Sequence, residues 1–191
     1  RRFSGATGSL LWQTVPTTAF WIEDVVIDPS GDVFVAGRAG DRYPIWDLAV
    51  VKIGGTTGTE LWTRVLRGPG DSSAEDLAID SNGDLVVGGT MQDGTDCPSF
   101  AVLKLHGTDG SEAWRRVIPG PVTCGGYASL VAVDAAGDVV AGGAVTDAYI
   151  NLILIGSSSC ALLAVSSLRA GRNERALRAE GETRCDSTRA S

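Results

Sequence analysis

Apolar and polar residues alternate along most of this chain in short runs broken by glycine-rich turns. In the stretch from 75 to 118, "EDLAID" (75–80) puts Leu77 and Ile79 on one face, and "DLVVGGT" (84–90) follows after a two- or three-residue turn. "SFAVLKLHG" (99–107) alternates again and "EAWRRVI" (112–118) ends the run. Four to eight residues at period two is the pattern of strands with one buried side, whereas a helix repeats its apolar positions every three or four residues. The pattern therefore predicts four antiparallel strands, a to d, joined as a meander.

That unit occurs more than once. "GATGSLLWQTV" (5–15), "GTTGTELWTRV" (55–65) and "GTDGSEAWRRV" (107–117) are versions of one phrase, with Trp12, Trp62 and Trp114 at matching places. A second phrase keeps the same spacing of about 52 residues: "VIDPSGDVFVAG" from Val26, "AIDSNGDLVVGG" from Ala78 and "AVDAAGDVVAGG" from Ala132. Two unrelated phrases on one period define a repeat, and about 52 residues accommodate four short strands, the size of a propeller blade. The expected fold is all-β: a partial β-propeller of about three four-stranded antiparallel blades, at about 16–66, 67–118 and 119–155, with an outer strand in 1–15 and a non-repeat tail over 156–191. Three blades form an open arc, so further blades or self-association are expected to cover its edges.

The turns have legible chemistry. In each a-to-b turn an Asp carboxylate can accept backbone N–H groups while a Gly takes the positive-φ position. This gives the sets Asp28, Gly31 and Asp32; Asp80, Gly83 and Asp84; and Asp134, Gly137 and Asp138. The a-to-b and c-to-d turns fall at one end of the sheets and are short and repetitive. At the other end lie the dissimilar segments 37–47, 68–76, 90–99 and 119–127. Variable loops on a rigid scaffold are where binding belongs, and Tyr43, Trp46 and Tyr127 are the aromatic candidates there. Cys97 and Cys124 fall at this end of one blade. Two states are open to them: a disulfide, which would indicate an oxidising compartment, or two unbridged loop thiols.

The phrase Gly-x-Thr/Asp-Gly-x-x-x-Trp resembles the tryptophan-docking motif of quinoprotein (PQQ-like) propellers. The longer "FAVLKLHGTDGSEAWRRV" with "VAVDAAGDVVAGG" is similar to the bacterial β-propeller repeat of the SBBP kind, found in large secreted and surface proteins; the resemblance covers residues 1 to about 155. It implies that Trp12, Trp62 and Trp114 brace one blade to the next, and that the setting is extracellular, cell-surface or periplasmic. A quinoprotein dehydrogenase also needs a complete ring, a calcium ion, a catalytic Asp and often adjacent cysteines. The three units here carry no Cys-Cys pair and no Asp distinguishable from the turn aspartates. No cofactor is expected, and a fragment of a PQQ-like propeller oxidoreductase or other propeller enzyme is the alternative to a non-enzymatic scaffold binding a protein or glycan.

Charge and single residues narrow the classes further. The chain of 191 residues has a net charge of −7. Its first 155 residues hold 10 Lys and Arg against 19 Asp and Glu, and the rest hold 6 against 4. Nucleic-acid binding draws on clustered cations, which this acidic body lacks. The lone His106 excludes a His-based zinc site, "DSNGD" lacks the alternating ligands and distal Glu of an EF-hand, and no G-x-S-x-G elbow occurs. Residues 148–168 are uncharged and precede an Arg-bearing tail, the outline of a membrane anchor, but five serines make an anchor a poor reading. An interrupted repeat followed by a disordered or loosely helical tail is expected instead.

Overall fold

The computed structural model describes residues 1–18, 20–42, 45–92, 97–119, 125–145 and 148–155, and the expected tail over 156–191 lies outside them. The described residues form thirteen strands, with no helix among them, in four antiparallel sheets. β1 (Arg2–Phe3) pairs with β2 (Leu10–Trp12). Sheets of four follow: β3 (Phe20–Ile27), β4 (Val33–Arg42), β5 (Ile45–Ile53) and β6 (Glu60–Leu66), then β7 (Ser73–Ile79), β8 (Leu85–Met91), β9 (Ser99–Leu105) and β10 (Glu112–Ile118). β11 (Gly126–Val133), β12 (Val139–Val145) and β13 (Ala148–Ile155) make a sheet of three. Each of the last three sheets is a meander in chain order, blade-like in shape.

The outer strand expected within residues 1–15 spans Leu10–Trp12, and it is not alone. Two residues of the preceding strand, Arg2 and Phe3, pair with it: Arg2 opposite Trp12, as Lys52 lies opposite Trp62 and Lys104 opposite Trp114. The stub was unread because two residues are too few to show alternation.

Every inner strand carries a bulge at the same place, between Ile22 and Asp24, Ala74 and Asp76, and Ala128 and Leu130. A bulge places two residues opposite one and bends the strand. The second strand answers with glycine. A Cβ on Gly89 would sit 2.0 Å from the Ser73 carbonyl oxygen, and on Gly37 and Gly143 it would sit 1.9 Å from those of Trp21 and Tyr127. The phrase "VAG", "VGG", "AGG" therefore ends in glycine because the bulged neighbour leaves no room for a side chain.

The core lies between sheets. Phe34, Ala36, Leu48 and Val50 of one sheet pack with Ala74, Leu77, Leu85 and Leu103 of the next. Val86, Phe100 and Val102 then meet Ala128, Val131 and Ala141. The middle strands of the two four-stranded sheets are buried on both faces, so β5, β8 and β9 read as nearly continuous runs of buried residues.

Candidate functional site

The repeated chemistry of the chain converges where one sheet meets the next. The Trp62 indole N–H donates to the Gly107 carbonyl at 3.3 Å, and Trp12 does the same to Gly55 at 2.7 Å. The cation opposite each Trp reaches the same acceptor: Lys52 Nζ lies 3.0 Å from the Gly107 oxygen, and Arg2 bonds to that of Gly55. Each acceptor is the first glycine of the next phrase. Its Cβ would stand within 2 Å of the carbonyl oxygen of a turn glycine, 1.7 Å for Gly55 and 1.9 Å for Gly107. The second glycine of the phrase, Gly58 or Gly110, has φ near +71° and carries the preceding Trp ring against its Cα. A tighter packing partner than glycine would displace that ring, so Trp and both glycines specify one another across the interface.

Trp62 also meets Phe34 edge-on, centroids 5.7 Å apart at 65°, and Trp12 covers Val33, Val35, Val51 and Ile53. Trp114 packs on the cluster around Val86 and Phe100. The acceptor corresponding to Gly55 and Gly107 in the next phrase position is Ser157, outside the described residues.

The turn aspartates anchor the Lys side chains. Asp80 Oδ1 accepts the N–H groups of Asn82 (2.8 Å) and Asp84 (2.9 Å), while Oδ2 lies 2.6 Å from Lys104 Nζ. Asp28 repeats this with Asp32 N–H (2.9 Å), the Ser30 hydroxyl (2.6 Å) and Lys52 (3.2 Å). Burial alone would raise both carboxyl pKa values, but the Lys and the local donors outweigh it and hold both below the ordinary 3.8. Asp32 and Asp84 each turn outward to the first glycine of the c-to-d turn, accepting Gly55 N–H and Gly107 N–H. Asp134 accepts from Ala136 and Asp138 in the same manner. The register position of Lys52 and Lys104 is Leu154 in the third sheet, opposite Val140. Gly31, Gly83 and Gly137 have φ between +81° and +87°, the region in which glycine alone is unstrained.

A second brace runs through the inner strands, and the sequence reading missed it. Asp24 Oδ2 accepts Leu77 N–H at 2.9 Å across the first interface, and Asp76 Oδ2 accepts Val131 N–H at 2.6 Å across the second. Burial raises the Asp76 pKa; the accepted N–H groups act against this, and the neighbouring Asp24 carboxylate adds to it. The signal was present in "EDVVID" and "EDLAID", where an acidic residue interrupts an apolar inner strand.

The two ends of the sheets differ as the loop pattern requires. The two a-to-b turns and the Gly107 turn gather at one end around an open polar cleft of about 280 Å³ lined by Asp28, Lys52, Asn82 and Asp84. Its one cation, Lys52, is held by Asp28, Asp32 and the Gly107 carbonyl. At the opposite end the b-to-c segments of the two four-stranded sheets meet the links that follow them. Ser72 N–H donates to the Trp46 carbonyl, Trp46 N–H donates to Asp71, and Gly126 packs on Ser99 and Phe100. Trp46 lies over Gly40 with the Arg38 guanidinium 5.7 Å from its ring, so much of its surface serves its own sheet. Tyr127 is half-exposed. Cys97 is disulfide-bonded. Tyr43 and Cys124 lie outside the described residues.

Neither a protein-family model nor a curated protein matches the chain. Among the described residues no group of three or more His, Cys, Asp or Glu is placed to hold a metal ion. His106 stands half-exposed with Nδ1 3.4 Å from Asp84, at the end of β9. No helix of the described residues is long and apolar enough to cross a membrane.

Proposed function

We propose that the chain is an arc of a β-propeller, related to the SBBP-like and PQQ-like repeats, and that it works as a non-enzymatic binding scaffold in an extracellular, cell-surface or periplasmic setting. The observation that carries this is the inter-sheet brace, which recurs one repeat apart at the two junctions whose acceptors are described: Trp12 and Arg2 on Gly55, then Trp62 and Lys52 on Gly107. Conserving a brace while letting one set of loops vary is how a repeat scaffold presents a binding surface. The ligand, a protein or a glycan, is held at the end that carries Tyr127, Trp46 and the Cys97 loop. A disulfide at Cys97 supports an oxidising compartment.

The test pairs a binding array with a ligand titration. Immobilised glycans and peptides are probed with the intact chain, with Tyr127→Ala at the variable end, and with Ser81→Ala at the repetitive end. Loss of signal in Tyr127→Ala alone supports the scaffold reading. Equal loss in both variants, or a melting temperature raised by calcium together with pyrroloquinoline quinone, refutes it in favour of an enzyme remnant.

A further inference from the structure

The first four-stranded sheet is built to be covered on a side where it is open. β7 turns Ala74, Leu77 and Ile79 toward the preceding sheet, where they join the cluster of Phe34, Ala36 and Leu48. β3 carries Ile22, Val25 and Ile27 at the same positions about the same bulge. These three are 50%, 55% and 62% exposed, against 5% for Leu77. Farther out on the same face Trp12 already covers Val33, Val35, Val51 and Ile53. The open area is therefore the inner strand, facing a cavity of about 190 Å³ whose other wall is Arg1, Arg2, Trp12, Thr14 and Pro16. β1 has β2 on one edge only, so among the described residues its other edge has no strand.

The backbone repeats the same message. Leu77 N–H and Val131 N–H each meet a carboxylate of the sheet before, from Asp24 and Asp76. The equivalent amide is that of Val25, and among the described residues no carboxylate faces it.

We infer that this face is a docking site for a two-stranded antiparallel hairpin of the same repeat design, which adds to the free edge of β1, buries Ile22, Val25 and Ile27, and sets a carboxylate on Val25 N–H. The inference rests on the propeller-arc reading and extends the interfaces already present between the sheets. It names a further repeat rather than the last sheet of a second copy, for two reasons. The last sheet carries Leu130 opposite Gly142, where the sheets before it carry Asp24 opposite Ala36 and Asp76 opposite Gly88. A leucine there offers the Val25 amide no acceptor, and buried donors require one. Two copies would also bring together chains of net charge −7 each.

The experiment extends the full chain with a copy of residues 16–50 placed directly before Arg1, which supplies an inner hairpin, the start of the third strand and a second Asp24 in register. Amide hydrogen exchange at Val25 is compared in the unextended chain, the extended chain, and an extended chain with Asp24→Leu in the added copy only. Slowing of Val25 exchange by tenfold or more in the extended chain, lost in the Asp24→Leu form while the strand content of both stays equal, is the expected result. Unchanged exchange in the extended chain overturns the inference, as does equal slowing in both extended forms. A dimer by light scattering of the unextended chain, with Val25 already protected, overturns it in favour of a second copy. The array and quinone measurements judge the scaffold reading separately, since neither depends on Val25.

Discussion

Trp62→Ala removes the brace between the two complete sheets and should cost the chain a substantial part of the roughly 5–15 kcal/mol of stability that an ordinary domain possesses. The ring is mostly covered, and returning even half of the roughly 200 Å² that a tryptophan can bury to water costs about 2.5 kcal/mol at about 25 cal/mol per Å². The edge-on contact with Phe34 adds about 1 kcal/mol, and the long bond to Gly107 about 0.5 kcal/mol. Together these give about 4 kcal/mol, inside the range of aromatic truncations, and a fall in melting temperature of about 10 °C for a chain of this size. Trp62→Phe keeps the apolar contact and loses the donor, so it should cost about 1 kcal/mol. Trp21→Ala is the control: that ring is 64% exposed and its loss should change stability by less than about 0.5 kcal/mol. Thermal and urea unfolding followed by circular dichroism measures all three. A Trp62→Ala protein within about 1 kcal/mol of the parent would refute the assignment of the brace as a main source of cohesion between sheets.

Lys104→Met strands the buried Asp80 carboxylate and should destabilise by about 3 kcal/mol at neutral pH. Because the Asp80 pKa is depressed in the folded chain, its contribution is complete above the unfolded value of 3.8 and fades as pH falls below it; urea midpoints of parent and variant should converge there. Asp76 has the opposite sign: its folded pKa is raised, so the native chain takes up a proton above 3.8 and gains stability as pH falls from neutral through that folded value. Asp76→Asn, which keeps an acceptor for Val131 N–H and removes the repulsion with Asp24, should abolish that gain in a melting-temperature profile against pH. Gly89→Ala drives a methyl into the Ser73 carbonyl and should prevent the second sheet from forming as it stands, read as a loss of at least about 3 kcal/mol or of soluble protein. Gly142→Ala, where a Cβ meets nothing, should be neutral to slightly stabilising by the same assay.

The architecture was legible because its signals are local. Alternation over seven residues declares a strand, and "DSNGD" declares the turn that Asp80 and Gly83 form, so an all-β meander follows from neighbours alone. The brace is half-legible. The Trp and the two glycines of "GTTGTELW" are visible as a phrase, but they do not serve one another: Gly58 carries Trp12 from the phrase before, and Trp62 goes on to Gly107 and Gly110. A phrase read within itself hides a contact made between copies, which only the offset of one repeat reveals. Lys52 and Lys104 went unread for the same reason, as ordinary polar residues on the strand before each Trp until cross-strand register set them opposite it. Asp24 and Asp76 interrupt an apolar strand, and from sequence that looks like a polar face toward solvent. The bulge turns each instead toward the amide of the next sheet, where Leu130 breaks the series. The departures from the repeat therefore carry more information than its matches. Leu130 for Asp and Leu154 for Lys both fall in the third sheet, so the inner-strand carboxylate and the brace's Lys are interrupted within the same repeat. The first sheet, by contrast, keeps Ile22, Val25 and Ile27 as a complete apolar set on an uncovered face. That asymmetry gives the row of sheets a direction: its leading face presents an apolar inner strand whose Val25 amide meets no carboxylate among the described residues, and its trailing face carries Leu130 where the sheets before it carry Asp24 and Asp76.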